Sequence, residues 1–182
     1  MIKLIHIITD TNIGGAGVWV LNFLKAFDRK KYEVGVALPE NSLLIPKIEE
    51  LGIRVYEIPN IRDKSFSIEG IKEFKKLFKA EKPDIVHCHA SLSARIASKM
   101  CGIKTVNTRH CLEEKKSGIK KTIYSIVNNS LSDIVIGVSK ATCENLLADG
   151  TKKKKIRLIY NGVKPLEKLD ANKIKKEFGI DE

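Results

Sequence analysis

Short apolar stretches alternate with longer segments whose apolar residues recur at helical spacing along most of the chain. Residues 2–8 form the first short run, rich in β-branched residues, a pattern typical of a buried strand. Residues 14–27 follow, with apolar side chains three to four positions apart, which indicates a helix with one packed face. The same alternation predicts further strands over residues 32–38, 53–58, 84–88, 104–108, 134–138 and 156–159, and further helices over residues 43–51, 68–80, 92–100, 119–131 and 140–148.

Seven strands alternating with six helices predict an α/β fold, a Rossmann-like, doubly wound parallel sheet with helices on both faces. Gly52 and Gly102 stand where a helix C-cap glycine would precede the next strand. We assign residues 1–164 to this domain. Residues 165–182 begin with a proline and carry a short polar helical pattern, and we interpret them as the start of a linker to a further domain.

The composition excludes several classes of protein. The 182 residues are 43% hydrophobic and 30% charged, a globular balance that rules out bulk disorder. No apolar run approaches the roughly 20 residues that cross a bilayer. The four cysteines form no C-x-x-C pair, so we expect reduced thiols in a cytoplasmic protein, with the inner face of the membrane as an alternative position.

The positive charge is concentrated in the middle of the chain. Of the net +11, residues 1–69 contribute none, whereas residues 70–130 carry 13 basic and 5 acidic side chains. A basic middle is compatible with nucleic acid, an anionic membrane surface, an anionic substrate or a solvated lysine-rich surface.

A glycine-rich loop follows the first predicted strand. Gly14 and Gly15 lack side chains, so their backbone amides could approach an anion at the start of the next helix. That chemistry suits a phosphate or diphosphate. The spacing matches neither G-x-G-x-x-G nor a P-loop, and a tight structural turn is the alternative interpretation.

Three of the four histidines follow two strands that we expect to be neighbours. His87 and His89 point to one side of the fourth strand, and Arg109 and His110 follow the fifth. The interpretations are a His/Cys metal site, whose spacing fits no zinc pattern, polar contacts to a substrate, or buried core histidines. We expect a core role for His87, a functional role for His89 and His110, and no metal.

Two polar residues after later strands are further candidates. Ser139 is a natural N-cap for the helix that follows, and ligand contact is the second interpretation. Asn161 and Gly162 form a pair typical of a turn with positive φ.

Two predicted helices combine an apolar stripe with lysines, over residues 68–80 and 119–131. The usual outcome is that the stripe packs on the sheet and the lysines are solvated. The sharper alternative is a basic face that binds anionic lipid.

The series of motifs resembles the N-terminal domain of family 4 glycosyltransferases, retaining enzymes of GT-B fold that use nucleotide sugars. Its members are the glycine loop and the segments PDIVHCHA, TRH, IGVSK and IYNGV, which occur in that order over essentially the whole chain. The resemblance departs at Gly17, Tyr160 and Lys164, where many relatives have an acidic residue, proline and aspartate.

The resemblance implies specific roles. It implies that this half binds the acceptor and that a C-terminal domain holds most of the donor. Gly14 and Gly15 would approach the donor diphosphate, and His110 would lie near the reacting sugar as the catalytic candidate. His89, Arg109, Ser139 and Asn161 are the substrate-binding candidates. No metal or other cofactor is expected.

The predicted function is therefore transfer of a sugar from a nucleotide-sugar donor to a sugar or lipid-linked acceptor, in cell-envelope polysaccharide or glycolipid synthesis. The expected partners are that donor, that acceptor, the C-terminal domain and an anionic membrane surface. One alternative is a sugar-nucleotide epimerase, although no pair of acid/base carboxylates is evident. A basic nucleic-acid-binding module is the other, disfavoured by an aromatic content of 6% and by the absence of a nucleic-acid motif, so no nucleic acid is expected.

Overall fold

The computed structural model describes residues 1–61, 63, 65–114 and 116–162, which form one parallel sheet flanked by helices. The strands are β1 (Ile2–Ile8), β2 (Tyr32–Pro39), β3 (Arg54–Ile58), β4 (Ile85–His89), β5 (Lys104–Arg109), β6 (Ile134–Gly137) and β7 (Ile156–Leu158). The helices are α1 (Gly15–Ala26), α2 (Ile45–Glu49), α3 (Ile68–Glu81), α4 (Leu92–Met100), α5 (Gly118–Leu131) and α6 (Lys140–Ala148), and a 3₁₀ turn spans Lys153–Lys155.

The predicted fold class and element order are confirmed. Each predicted strand and helix in the described residues is present, with ends displaced by at most two positions. Gly52 and Gly102 have φ values of 67° and 71°, as a C-cap glycine requires. The predicted linker and its polar helix lie outside the described residues.

The strand order is β3-β2-β1-β4-β5-β6-β7, and every pairing is parallel. The winding direction reverses between β1 and β4. In open sheets of this kind a crevice forms at that point, beyond the carboxyl ends of the strands. The topology therefore places a binding crevice after Ile8 and His89, which are register partners.

Alternate residues of β1 support two separate cores. Ile5 and Ile7 pack with Phe74 and Phe78 of α3 on one face of the sheet. On the other face, Leu4 and Ile8 belong to a cluster with residues of α1, α2 and β2. The sheet is thus packed on both faces at β1, next to the point where the winding direction reverses, and this packing fixes the position of the carboxyl end of the strand.

Two predictions are wrong. The apolar stripe of α5 does not pack on the sheet: Ile119, Ile123 and Ile126 are 77%, 53% and 59% exposed. Within the described part of the chain, the buried residue of α5 is the polar Asn128, because α5 docks through hydrogen bonds. In addition, neither Asn161 nor Gly162 has the positive φ that was predicted for them, although a turn centred on this pair would extend beyond the described residues.

Within the described ranges, no helix combines the length and the apolar character that crossing a membrane requires.

Candidate functional site

A cleft of about 540 Å³ opens at the predicted edge of the sheet. Asp10 after β1, His89 at the end of β4 and His110 after β5 line its floor. Ile123 and Tyr124 of α5 line one wall, so part of the apolar stripe that was predicted to pack on the sheet faces the cleft instead. Asp10 and Ala16, from either end of the glycine-loop segment, line the cleft together with His89 and His110, whereas Gly14 and Gly15 do not line it.

The glycine loop leads into α1 without a side-chain cap. Gly14 is the N-cap, and its amide donates to the carbonyl of Asn12 at 3.0 Å. The first intrahelical bond runs from the Val18 amide to the Gly14 carbonyl. The amides of Gly15, Ala16 and Gly17 have no intrahelical acceptor, so they can donate to an anion.

The glycines of this loop serve different purposes. A Cβ on Gly15 would meet nothing within 4 Å, so the space that a side chain would occupy is open. A Cβ on Gly14 would lie 3.0 Å from Oδ2 of Asp10. A Cβ on Gly17 would lie 2.9 Å from Cδ1 of Leu44, which gives a packing reason for glycine at this departure from the family pattern.

A hydrogen-bonded chain of three histidines leads from the core to the cleft. Nδ1 of His6 lies 3.2 Å from Nε2 of His89, and Nδ1 of His89 lies 2.8 Å from Nε2 of His110. His6 and His87 are register partners on adjacent strands, and His89 follows on the same face. His87 stands beside the chain, with Nε2 bonded to Oγ1 of Thr108 at 2.7 Å.

Trp19 of α1 covers this cluster. It is the single tryptophan of the protein, and its ring centroid lies between 5.2 and 6.1 Å from those of all four histidines. Phe23 adds an edge contact to His6 at 4.8 Å. The inner end of the histidine chain is therefore enclosed by aromatic rings.

Burial keeps the histidines uncharged. It lowers the pKa of His6 and His89 well below the usual histidine value, and neighbouring imidazoles add to the effect. Burial also lowers the pKa of His87 to about 3 and lowers that of His110. The cluster accordingly offers neutral donors and acceptors at neutral pH.

The histidines are also the residues of suitable type for a metal. One ring nitrogen from each of His6, His87 and His89 lies within 4.8 Å of the others. This set differs from the His/Cys set that the sequence suggested, because Cys88 packs in the opposite core and Cys111 is exposed. The hydrogen bond between His6 and His89 engages the lone pair of one of these two rings, and the expectation of no metal stays a prediction.

The remaining predicted site residues are distributed unevenly. Arg109 lines the cleft, but its Nη1 donates to Asn145 and Asp149, both at 2.9 Å. Ser139 caps α6, where its hydroxyl accepts from the Thr142 amide. Ser139 and Asn161 do not line this cleft, and ligand contact by either stays a prediction.

Three polar residues of the site escaped the sequence reasoning. His6 lies inside an apolar run, and only the register of β1 with β4 reveals its position. Arg95 of α4 lines the cleft while buried, and it donates to three neutral residues, Val127, Asn128 and Ser132. Oδ1 of Asn107, another cleft residue, has no hydrogen-bond partner among the described residues.

Residues 13–165 match the family model described as Glycosyltransferase Family 4, and the chain belongs to that family. The capsular polysaccharide biosynthesis glycosyltransferase CapH of Staphylococcus aureus is 24% identical over 193 residues, covering 100% of this chain and 51% of CapH. The family resemblance of the sequence is thereby confirmed.

Solved structures share the fold. HepE of Anabaena, in complex with UDP and glucose, has a TM-score of 0.75 at 19% identity, over 98% of this chain and 50% of HepE. A UDP-N-acetylglucosamine 2-epimerase described as putative, from Listeria monocytogenes, has a TM-score of 0.60 at 20% identity, over 85% of this chain and 43% of that one. The chain thus spans about half the length of CapH and HepE.

Proposed function

We propose that this chain is the acceptor-side half of a retaining glycosyltransferase, which transfers a sugar from a nucleotide donor to an acceptor. The observation that carries the proposal is the cleft at the switch point, which Ala16 in the uncapped first turn of α1 lines together with His89 and His110, in a chain of this family. A C-terminal donor domain would complete the site, in keeping with relatives twice as long.

The start of α1 would stabilise the leaving diphosphate. As the bond between the anomeric carbon and the phosphate oxygen breaks, negative charge develops on that oxygen. The free amides of Gly15 to Gly17 and the positive end of the helix dipole favour this charge. HepE has been crystallised with UDP and with UDP-glucose, which supports a nucleotide sugar as the donor here.

The histidines would hold the reacting sugar. His110 would form a hydrogen bond near the anomeric centre, with His89 behind it at 2.8 Å. The guanidinium of Arg109 is already paired with Asp149. Arg109 would therefore contribute to substrate binding by holding the shape of the cleft rather than by a direct ion pair with the substrate. Arg95, whose hydrogen bonds go to neutral groups, would add positive charge to the same cleft.

A change at Gly15 tests the diphosphate site. Gly15→Val places a branched side chain in open space at the start of α1, so folding should be preserved while the approach of an anion to the neighbouring amides is hindered. Chemical shifts of the Gly15 to Gly17 amides should move when the chain is titrated with inorganic pyrophosphate or UDP-glucose, and this response should fall at least about tenfold in the variant. Gly162→Val, at another open glycine, is the matched control.

Unchanged pyrophosphate and UDP-glucose responses in Gly15→Val would contradict the proposed phosphate site. Residues 1–182 alone should show no sugar transfer from UDP-glucose, because they span about half the length of CapH and HepE. Turnover would refute the division into two halves. Formation of an epimerised sugar nucleotide would favour the epimerase alternative.

The outward face of α5 supports a second element of the proposal, a position on an anionic membrane with a lipid-linked acceptor. Ile119 and Ile126 are exposed on a helix that also carries Lys120 and Lys121. Apolar side chains beside lysines suit insertion at an anionic lipid surface. Ile123 belongs to the same face and lines the cleft, which would connect the membrane surface to the acceptor site on the cytoplasmic side.

Vesicle co-sedimentation tests this position. The chain should bind vesicles containing anionic lipid more strongly than neutral vesicles, and Ile119→Ser with Ile126→Ser should abolish the difference. Ile68→Ser, which changes a 60% exposed isoleucine on the other lysine-rich helix, is the control. Equal binding to both vesicle types, or none, would refute the membrane position, whereas salt-sensitive binding to DNA or RNA would favour the nucleic-acid alternative.

A further inference from the structure

The direction of the hydrogen bonds in the histidine chain is constrained by its geometry. His89 contacts His6 through Nε2 and His110 through Nδ1. A neutral imidazole carries one N–H, so His89 donates to one neighbour and accepts from the other. The chain therefore has two possible directions, and the protonation of one ring fixes that of the other two.

The two directions differ in a simple way, because both contacts join an Nδ1 to an Nε2. In one direction all three rings carry the proton on Nδ1. In the other, all three carry it on Nε2, which is the preferred tautomer of a neutral histidine side chain. The preference of each ring acts in the same sense, so the chain favours the second direction.

The surroundings of His6 agree with this direction. Nε2 of His6 is buried and has no hydrogen-bond partner among the described residues. Phe23 and Trp19 contact the His6 ring at 4.8 and 5.9 Å in edge geometry. In such a tilted arrangement a ring N–H can donate to an aromatic face.

We infer that His6 is a positioning residue that fixes His110 in the Nε2–H tautomer through His89, so that Nδ1 of His110 presents a lone pair. This nitrogen is buried and has no partner among the described residues. A ligand can therefore reach it only after a small shift of the His110 ring or of the side chains packed against it. A lone pair accepts from a hydroxyl and repels a phosphate oxygen. On the basis of the proposed function, His110 therefore recognises a sugar hydroxyl and not the diphosphate.

Nitrogen-15 NMR of labelled histidine tests the inference directly, since all four histidines of the chain belong to this cluster. At neutral pH, His6, His89 and His110 should each show a protonated Nε2 and an unprotonated Nδ1. A protonated Nδ1 on any of the three would overturn the inference, and this result needs no variant.

His6→Phe tests the positioning role. Without His6, the Nε2–H of His89 loses its acceptor, so His89 and His110 are no longer held in one direction and a fraction of His110 should carry its proton on Nδ1. His87→Phe is the matched control, because His87 stacks on His89 at 4.5 Å but lies outside the hydrogen-bonded chain. An unchanged His110 in His6→Phe, or a switched one in His87→Phe, would overturn the role of His6.

A binding measurement separates this inference from the proposed function. His6→Phe should weaken UDP-glucose about tenfold, the value of one hydrogen bond, and leave UDP unchanged. If neither UDP nor UDP-glucose shifts the amides of Gly15 to Gly17, the proposed diphosphate site is contradicted, while the histidine tautomers still decide the inference. Equal losses for UDP and UDP-glucose in His6→Phe would contradict recognition of the sugar hydroxyl.

Discussion

The two lysine-rich helices have similar sequence patterns and dock in opposite ways. In α3, Phe74 and Phe78 are buried against the sheet. In α5, the isoleucines face outward, and Asn128 lies inside between Arg95 and Thr151. An amphipathic pattern thus establishes that a helix has two faces, but its partner determines which face is buried.

The physical reason for the difference lies in α4 and in the loop after α6. Arg95 donates to the Val127 carbonyl and to Asn128, while Ser125 and Asn129 both donate to the Gly150 carbonyl. A buried guanidinium requires hydrogen-bond acceptors, and only the polar side of α5 supplies them. The apolar side of α5 therefore faces the cleft and the solvent.

Acid is expected to produce the largest effect, and it acts on neither helix, since neither contains a histidine. Burial holds the pKa of His6, His87 and His89 below the unfolded value, so the unfolded state binds protons that the folded state excludes. The free energy of unfolding should be highest above about pH 6.5. Below that pH it should fall by roughly 1.4 kcal/mol per histidine for each pH unit.

Urea unfolding between pH 7 and pH 5 measures this slope, and His87→Phe should reduce it by about one histidine's share. Both helices should be lost in the same transition. If hydrogen exchange showed that α5 is lost before α3, the polar docking of α5 would be weaker than the apolar docking of α3.

Phe74→Ala tests the apolar docking of α3. Removing this fully buried ring should cost about 3–5 kcal/mol in the free energy of unfolding, because transfer energy is lost and a cavity remains. Chemical denaturation provides the measurement. A loss of less than about 1 kcal/mol in the free energy of unfolding would mean that the apolar residues of α3 do not hold the helix on the sheet.

Asn128→Ala tests the polar docking of α5. The substitution removes an acceptor from Arg95 and leaves Thr151 without its donor, so we expect a loss of about 1–3 kcal/mol. Thr122→Ala, at an exposed position on the same helix, should change the free energy of unfolding by less than about 0.5 kcal/mol. Similar losses in both variants would contradict the assignment of the docking to Asn128.

Ile126→Ser should have the smallest effect. The side chain is 59% exposed, so the free energy of unfolding should change by less than about 0.5 kcal/mol. Differential scanning calorimetry would detect a larger loss, which would indicate that the stripe is buried after all.

The sequence was sufficient for the strand and helix order, and for the proximity of His89 and His110, because the carboxyl ends of parallel strands share one edge. It was insufficient for His6, whose neighbours in sequence are all apolar or lysine and whose partner lies 83 positions away. The orientation of α5 also depends on a distant residue, Arg95. Both features arise from tertiary pairing, which local periodicity does not encode.

The chemical environments of the cysteines differ sharply. Burial raises the pKa of the Cys88 thiol to about 12 and also raises that of Cys143, whereas Cys111 is exposed beside His110 at the edge of the cleft. A thiol-reactive reagent would therefore modify Cys111 first. Occupancy of the cleft by donor or acceptor should slow that modification, so the unmodified chain already contains an attachment point from which ligand entry can be followed covalently.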